Sequence, residues 1–282
     1  MDIKTILVHL ESELQAPHLL DAAVRLANQY SAHLIGTYVN QSLDPYVARS
    51  GEAVTSEELS KILLKDEYER AKHLEQVFNQ SVKNQNFVAE WRFDKSLNYS
   101  VITGLLDQAR TADLLLVSPI PRSDKKAQKY NQLGSTITRN PRPTLVVPQQ
   151  YHNKSLGEYI FIAWDGSSRA SRAVFDALPI LTSAKSVWVH RVKSNDEAKR
   201  HDNETTRQLA DSLARHGVQL EMSESVGSSR KVGSEILNCA QDRGADCIVM
   251  GANGHTRLHG FLLGNTTEFV LENSTVPLLM SR

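Results

Sequence analysis

Short apolar runs alternate with amphipathic stretches along the whole 282-residue chain. Ile6-Leu7-Val8-His9-Leu10 comes first, and a stretch through Leu19, Ala22, Ala23, Leu26 and Ala27 follows. Spacings of three and four place those residues on one helical face, whereas a run of four to six apolar residues fits a buried strand. The same alternation continues with Leu34–Val39, a long helix through Leu59, Ile62, Leu63, Leu74, Val77 and Phe78, and the strand Val88–Phe93. A helix near Ile102, Leu105, Leu106 and Ala109, the strand Leu114–Val117, another helix and Thr144–Val147 complete the first half.

The second half replays this order. Tyr159–Trp164 precedes a helix through Ala170, Ala173, Val174, Ala177 and Leu178. Val187–His190, a helix near Leu209 and Leu213, and the strand Val218–Met222 follow. A helix through Ile236, Leu237 and Ala240, the strand Cys247–Met250, a final helix and Val276–Met280 close the chain. Duplication is also visible residue by residue. Ala112-Asp113-Leu114-Leu115-Leu116-Val117 matches Ala245-Asp246-Cys247-Ile248-Val249-Met250, and Leu133-Gly134-Ser135-Thr136 matches Leu263-Gly264-Asn265-Thr266.

Strands that are apolar throughout and separated by helices predict parallel sheets covered on both faces. Right-handed crossovers then give doubly wound α/β domains. We expect an α/β fold of two tandem Rossmann-like domains, each with a mainly five-stranded parallel sheet. The domains are expected at residues 1–148 and 158–282, joined by a polar, turn-rich linker at 149–157. Ligands bind such sheets at the carboxyl ends of strands, where strand order reverses.

The richest motif lies at one such end. Ile248-Val249-Met250 runs into Gly251 and Gly254, and Gly264-Asn265-Thr266-Thr267-Glu268 follows nine residues later. Glycine lets a phosphate approach the backbone, and converging N–H groups make an anion cradle. Asn265 is a good N-cap with Glu268 three residues on, so a capping box is expected, with the positive end of the helix facing the loop. Thr266 and Thr267 can add hydroxyl donors; His255, Arg257 and His259 add positive charge. The bland alternative is a tight turn before an ordinary helix. A third glycine at this distance, with a capped helix and an upstream strand, favours phosphate binding. His255 and His259 lack a third metal ligand, so no metal site is expected there. Asp165, at the end of the strand Tyr159–Trp164, suits an adenine amine or a ribose hydroxyl; its competing role is to cap the next helix with Ser167 or Ser168.

Composition changes the picture little. Lys+Arg and Asp+Glu both number 32, so no electropositive face for nucleic acid is expected. No apolar run approaches a membrane span, and the opening residues lack a signal-peptide layout, which together suggest a cytoplasmic setting. Cys239 falls on a predicted helix and Cys247 on the next strand; both are read as reduced core residues.

With these residues in place, the chain resembles a tandem universal stress protein over nearly its whole length. The family motif is Gly, two residues, Gly, nine residues, then Gly with Ser, Thr or Asn; Gly251, Gly254, Gly264 and Asn265 fit it. Ile162-Ala163-Trp164-Asp165-Gly166-Ser167 resembles the family's opening strand and acidic turn. The resemblance implies ATP, alone or with Mg, as ligand of the second half. Asp165 and the backbone around Val192 would lie by adenine, and the Gly251–Gly254 turn by ribose and phosphates. Gly264, Asn265 and Thr266 would hold the outer phosphates. It also implies that the last strands of the two halves pair, as in family dimers, to give an intramolecular pseudo-dimer, with further homodimerisation left open. Pro277 is read as compatible with an edge strand.

The first half departs from the motif. Ser118-Pro119-Ile120-Pro121 stands where the second half has Gly251 to Gly254, and Glu11-Ser12 replaces Asp165-Gly166. Prolines remove donors and fix φ, so ATP is not expected there. Lys125, Lys126 and Lys129 read as a solvated loop, and a different small ligand in this half is left open. The resulting expectation is a nucleotide-dependent stress regulator. No Walker-type lysine motif is present, so efficient catalysis is not expected, while slow ATP hydrolysis is left open. The alternative is a ligand-independent module that binds other proteins.

Overall fold

The computed structural model describes residues 2–40, 56–94, 101–120, 133–152, 155–193, 204–226, 231–252, 254–257 and 260–282; for 56–64, 254–257 and 260–262 it describes the backbone alone. The first half contains β1 (Thr5–His9), α1 (Ala16–Tyr30), β2 (His33–Val39), α2 (Ser56–Val82), β3 (Ala89–Asp94), α3 (Val101–Ala109), β4 (Leu114–Val117), α4 (Leu133–Arg139) and β5 (Thr144–Val146). The second contains β6 (Tyr159–Ala163), α5 (Ser168–Asp176), α6 (Leu178–Leu181), β7 (Ser186–Lys193), α7 (Glu204–Arg215), β8 (Leu220–Val226), α8 (Val232–Asp242) and β9 (Cys247–Gly251). It ends with β10 (Gly254–Arg257), β11 (Gly260–Leu263), α9 (Asn265–Asn273) and β12 (Leu278–Ser281).

Ten strands form one sheet, in the order β3-β2-β1-β4-β5-β12-β9-β6-β7-β8. Two five-stranded sheets paired through their last strands were the expectation; β5 and β12 do pair, antiparallel, with Leu279 opposite Leu145, and the sheet runs on without a break. Every other neighbouring pair in it is parallel. Strand β12 is therefore interior, not an edge. Pro277 is tolerated because it precedes the strand: its carbonyl accepts from Ile248 N–H at 2.9 Å, and its missing N–H interrupts no rung. Pro143 does the same for Leu115 at 3.1 Å.

Strict alternation sends successive side chains to opposite faces. Ile6, Val8, Ile160, Ile162, Cys247 and Val249 join one core, beneath α1, α2, α5, α6 and α7. Leu7, Leu115, Phe161, Ile248 and Met250 join the other, beneath α3, α4, α8 and α9. Cys247 thus lies on the opposite face from Cys239, which packs with the second core, and both thiols are free.

Equivalent aspartates brace the two halves. Asp113 Oδ2 accepts from the N–H groups of Lys4 and Thr5 at 2.9 and 3.0 Å. Asp246 accepts from Gly157, Glu158 and Tyr159 at 3.0–3.1 Å. Each carboxylate fixes the entry of the first strand of its half against the strand it precedes.

Some boundaries differ from expectation. The helix after β6 breaks at Ala177 into α5 and α6, because Pro179 suits the first turn of a new helix and not the interior of an old one. Strand β8 runs to Val226, four residues past the apolar run, because its polar residues find partners on β7: Ser223 and Ser225 meet His190, and Glu224 pairs with Lys193. No helix among the described residues is long and apolar enough to cross a membrane.

Candidate functional site

Strand order reverses between β6 and β9, and a cleft of about 120 Å³ opens there. Its walls come from the carboxyl ends of β6 (Ala163, Trp164, Asp165), β7 (His190, Val192) and β9 (Met250, Gly251). The first turn of α8 and α9 supply Val232, Ile236, Thr266 and Thr267. Segments about 100 residues apart in sequence converge because parallel strands deliver all their carboxyl ends to one side of the sheet.

Of the residues expected at a site, Asp165, Val192, Gly251 and Thr266 line this cleft. Asn265 is exposed beside it and Gly264 immediately precedes it. Gly254 sits at the start of β10, opposite Leu263 in an antiparallel hairpin, where a plain loop was expected. The side chains of His255 and Arg257, together with His259, Pro121, Lys125, Lys126 and Lys129, lie outside the described residues.

The roles of the glycines differ from expectation. Gly251 has no Cβ because α5 leaves no room: a Cβ there would stand 2.6 Å from the Ala170 nitrogen and 2.7 Å from the Arg169 carbonyl carbon. Gly166 has a φ of +74°, which turns the chain from Asp165 into α5. Helix α9 begins one residue earlier than the sequence implies. Gly264 is its N-cap in extended geometry (φ −67°, ψ 153°), no side chain caps it, and the Asn265–Glu268 capping box does not form. Glu268 N–H closes the first turn onto the Gly264 carbonyl at 2.9 Å. The early amides of α9 therefore face the cleft without a side-chain acceptor.

Asp165 supports the turn into α5, and Ser167 takes the cap. Asp165 Oδ1 accepts from Ser167 N–H at 2.9 Å, and Ser167 Oγ caps α5 by accepting from Ala170 N–H at 3.2 Å. Among the described residues Oδ2 has no partner, and the side chain is exposed at the cleft mouth. Trp164 is only 7% exposed, and its indole N–H has no partner among the described residues. An unanswered buried donor costs free energy.

His190 was read only as part of a strand. It is buried at the cleft floor, with Ser223 Oγ 2.9 Å from Nδ1 and Ser225 Oγ 3.1 Å from Nε2. Burial holds its imidazole below the ordinary histidine value. A polar residue inside an apolar strand run was the signal for it. Val232 and Ile236 carried no such signal, because a helix residue lining a cleft has the same apolar pattern as one in the core.

The corresponding place in the first half is nearly closed, at about 10 Å³. Ser118 replaces Gly251; its carbonyl accepts from Gln15 Nε2 at 2.9 Å and its hydroxyl meets His18 Nε2 at 2.8 Å. Ile120 is buried against it. His9 and Glu11 take the positions of Ala163 and Asp165, with Nδ1 and Oε1 3.3 Å apart. Helix α4 keeps the Gly134-Ser135-Thr136 start, but Leu263 of the second half closes on it, 3.3 Å from where a Gly134 Cβ would stand.

Residues 160–282 match the universal stress protein family model. The chain is 27% identical over 239 residues to a universal stress protein of Synechocystis sp., covering 81% of this chain and 80% of that one. A universal stress protein of Methanocaldococcus jannaschii is 46% identical over 46 residues, 16% of this chain and 28% of its own. Among solved structures, a universal stress protein from Archaeoglobus fulgidus superposes with a TM-score of 0.73 at 15% identity, covering 100% of this chain and 97% of that one. That similarity shows a shared fold.

Proposed function

We propose that the chain is a tandem universal stress protein of two domains, 1–148 and 158–282 joined by 149–157, whose second domain binds ATP or a related adenine nucleotide. The observation that carries this is the convergence of Asp165, Val192, Gly251 and Thr266 on one cleft at the reversal of strand order.

The residues present fit such a ligand. The free Oδ2 of Asp165 accepts from an amine or a sugar hydroxyl at the mouth. Val192, Val232, Ile236 and Met250 give the apolar wall that a planar base needs. The α9 amides, with the Thr266 and Thr267 hydroxyls beside them, answer phosphate oxygens, and the helix dipole favours their negative charge.

The first domain does not bind nucleotide in this manner, since the corresponding place, lined by Ser118 and Ile120, encloses only about 10 Å³. Antiparallel pairing of β5 with β12 makes the two domains an intramolecular pseudo-dimer. Occupancy then acts as a regulatory signal in a cytoplasmic stress response, read out through surfaces that contact protein partners.

The test is to denature freshly purified protein, separate released small molecules by chromatography, and titrate stripped protein with ATP with and without Mg. Adenine nucleotide in the released fraction, or saturable binding, supports the proposal. Neither one would sink it and leave the ligand-independent interaction module as the better account.

A further inference from the structure

Three side chains of different chemistry meet under the cleft floor. Glu235 and Cys239 are four residues apart on α8, one turn apart on the same face. His190 reaches them from β7, on the face of the sheet that α8 covers. Cys239 Sγ lies 3.8 Å from His190 Nε2 and 3.8 Å from Glu235 Oε1. All three donor atoms fall within 4.8 Å of one another.

We propose that His190 Nε2, Cys239 Sγ and Glu235 form a binding site for a divalent transition metal of the zinc class. Tetrahedral zinc, with bonds of about 2.0–2.3 Å, needs ligand atoms separated by roughly 3.3–3.6 Å. The two observed 3.8 Å edges need a closure of a few tenths of an ångström, and the His190–Glu235 edge, within 4.8 Å, closes by rotation of the carboxylate. Ser223 Oγ, 2.9 Å from His190 Nδ1, is placed to hold the ring so that Nε2 offers its lone pair. Ser225, now on Nε2 at 3.1 Å, gives way to the metal. Thiolate and carboxylate together neutralise the charge of the ion, so its partly buried position carries no net charge. His190 also lines the cleft.

Thiol, imidazole and carboxylate suit zinc, cobalt or nickel and not magnesium or calcium, which prefer oxygen donors alone. Binding exchanges the Cys239 S–H bond for a metal–sulfur bond and releases its proton to solvent. Burial, with Glu235 as a second contribution, raises the Cys239 thiol above its ordinary value, so the metal supplies the driving force for that deprotonation. The site is independent of the nucleotide reading, because none of its three ligands was assigned to ATP.

The test is a Co²⁺ titration of chelator-treated full-length protein with no nucleotide added. The expected result is a thiolate-to-cobalt absorption band that saturates at one ion per chain and disappears on addition of Zn²⁺. Cys239→Ala should abolish the band, Glu235→Gln should weaken affinity at least ~10-fold, and Cys247→Ala should leave both unchanged. Circular dichroism checks that each variant is folded. In the unsubstituted chain, Zn²⁺ should also protect Cys239 from a thiol reagent, which reads the same contact without any substitution. A titration with no sulfur band, a band that survives Cys239→Ala, or a Cys239 thiol that stays fully reactive in saturating Zn²⁺ would each overturn the assignment.

Discussion

A Cβ on Gly251 would stand 2.6 Å from the backbone nitrogen of Ala170, so β9 and the start of α5 touch through the missing side chain. The close approach sets the width of the cleft: Gly251 forms one wall while Asp165, four residues before Arg169, forms the mouth. Backbone is the obstacle, so nothing flexible can yield. Gly251→Ala is expected to destabilise the fold by about 1–3 kcal/mol through overpacking. Urea unfolding measures it, and an unchanged midpoint would mean that α5 sits further from β9 than described here.

Asp165 commits one carboxylate oxygen to the turn, and the other has no partner among the described residues. Oδ1 fixes the turn through Ser167 N–H, while Ser167 itself caps α5. Asp165→Ala should therefore leave thermal stability nearly intact, since Ser167 keeps its cap. It should weaken ATP binding by roughly ten- to a hundredfold, the worth of a hydrogen bond to a charged group. Isothermal titration of wild type and variant decides it, and equal affinities would remove Asp165 from the site.

The repeat and most elements were legible in the sequence, because a strand apolar on both faces leaves a short continuous run whose length and flanking turn residues separate it from a buried helix. Asp113 and Asp246 showed as paired letters before their shared task of holding strand entries was visible. The cleft was legible in part. Asp165, Gly251 and Thr266 sit at motif positions, but the reason for Gly251 was misread: sequence shows that a Cβ is excluded without showing what excludes it. The hairpin β10–β11 was missed because its two strands are four residues each and begin with glycine, which weakens any strand pattern. Cys239 and His190 could not be joined in advance, because 49 residues and a crossover separate them.

The closed cleft of the first half carries a pH dependence. Burial pushes His9 down to about 4 from 6.5, although the Glu11 carboxylate lies 3.3 Å from Nδ1. Among the described residues His9 Nε2 is buried with no partner, so a proton there gains no hydrogen bond from them to offset its desolvation. His18, hydrogen-bonded to Ser118, is likewise lowered to about 4, by burial first and then by His152. A folded value below the unfolded one means that the unfolded chain binds more protons in between. The stabilisation is whole above pH 6.5 and drains away as pH falls toward 4, by up to about 3 kcal/mol for His9. Urea midpoints from pH 8 to pH 5 should decline, and His9→Leu should flatten that slope. A slope identical in the variant would show that His9 does not titrate in this range.

Asp246 and Asp113 do equivalent work in unequal surroundings, which allows a paired test. Asp246 is 2% exposed and accepts three backbone N–H groups, from Gly157, Glu158 and Tyr159. Asp113 is partly exposed, accepts two, and has Arg142 3.8 Å away. Truncating a carboxylate orphans the donors it served, and the cost is greatest where water cannot replace it. Asp246→Ala should cost about 3 kcal/mol and Asp113→Ala about 1 kcal/mol, because water reaches the amides of Lys4 and Thr5 but not that of Gly157. Equilibrium urea unfolding of both variants measures the difference. Equal losses would show that the entry to β6 is more hydrated than the burial of Asp246 implies, and the carboxylate would then be an ordinary surface acceptor in both halves.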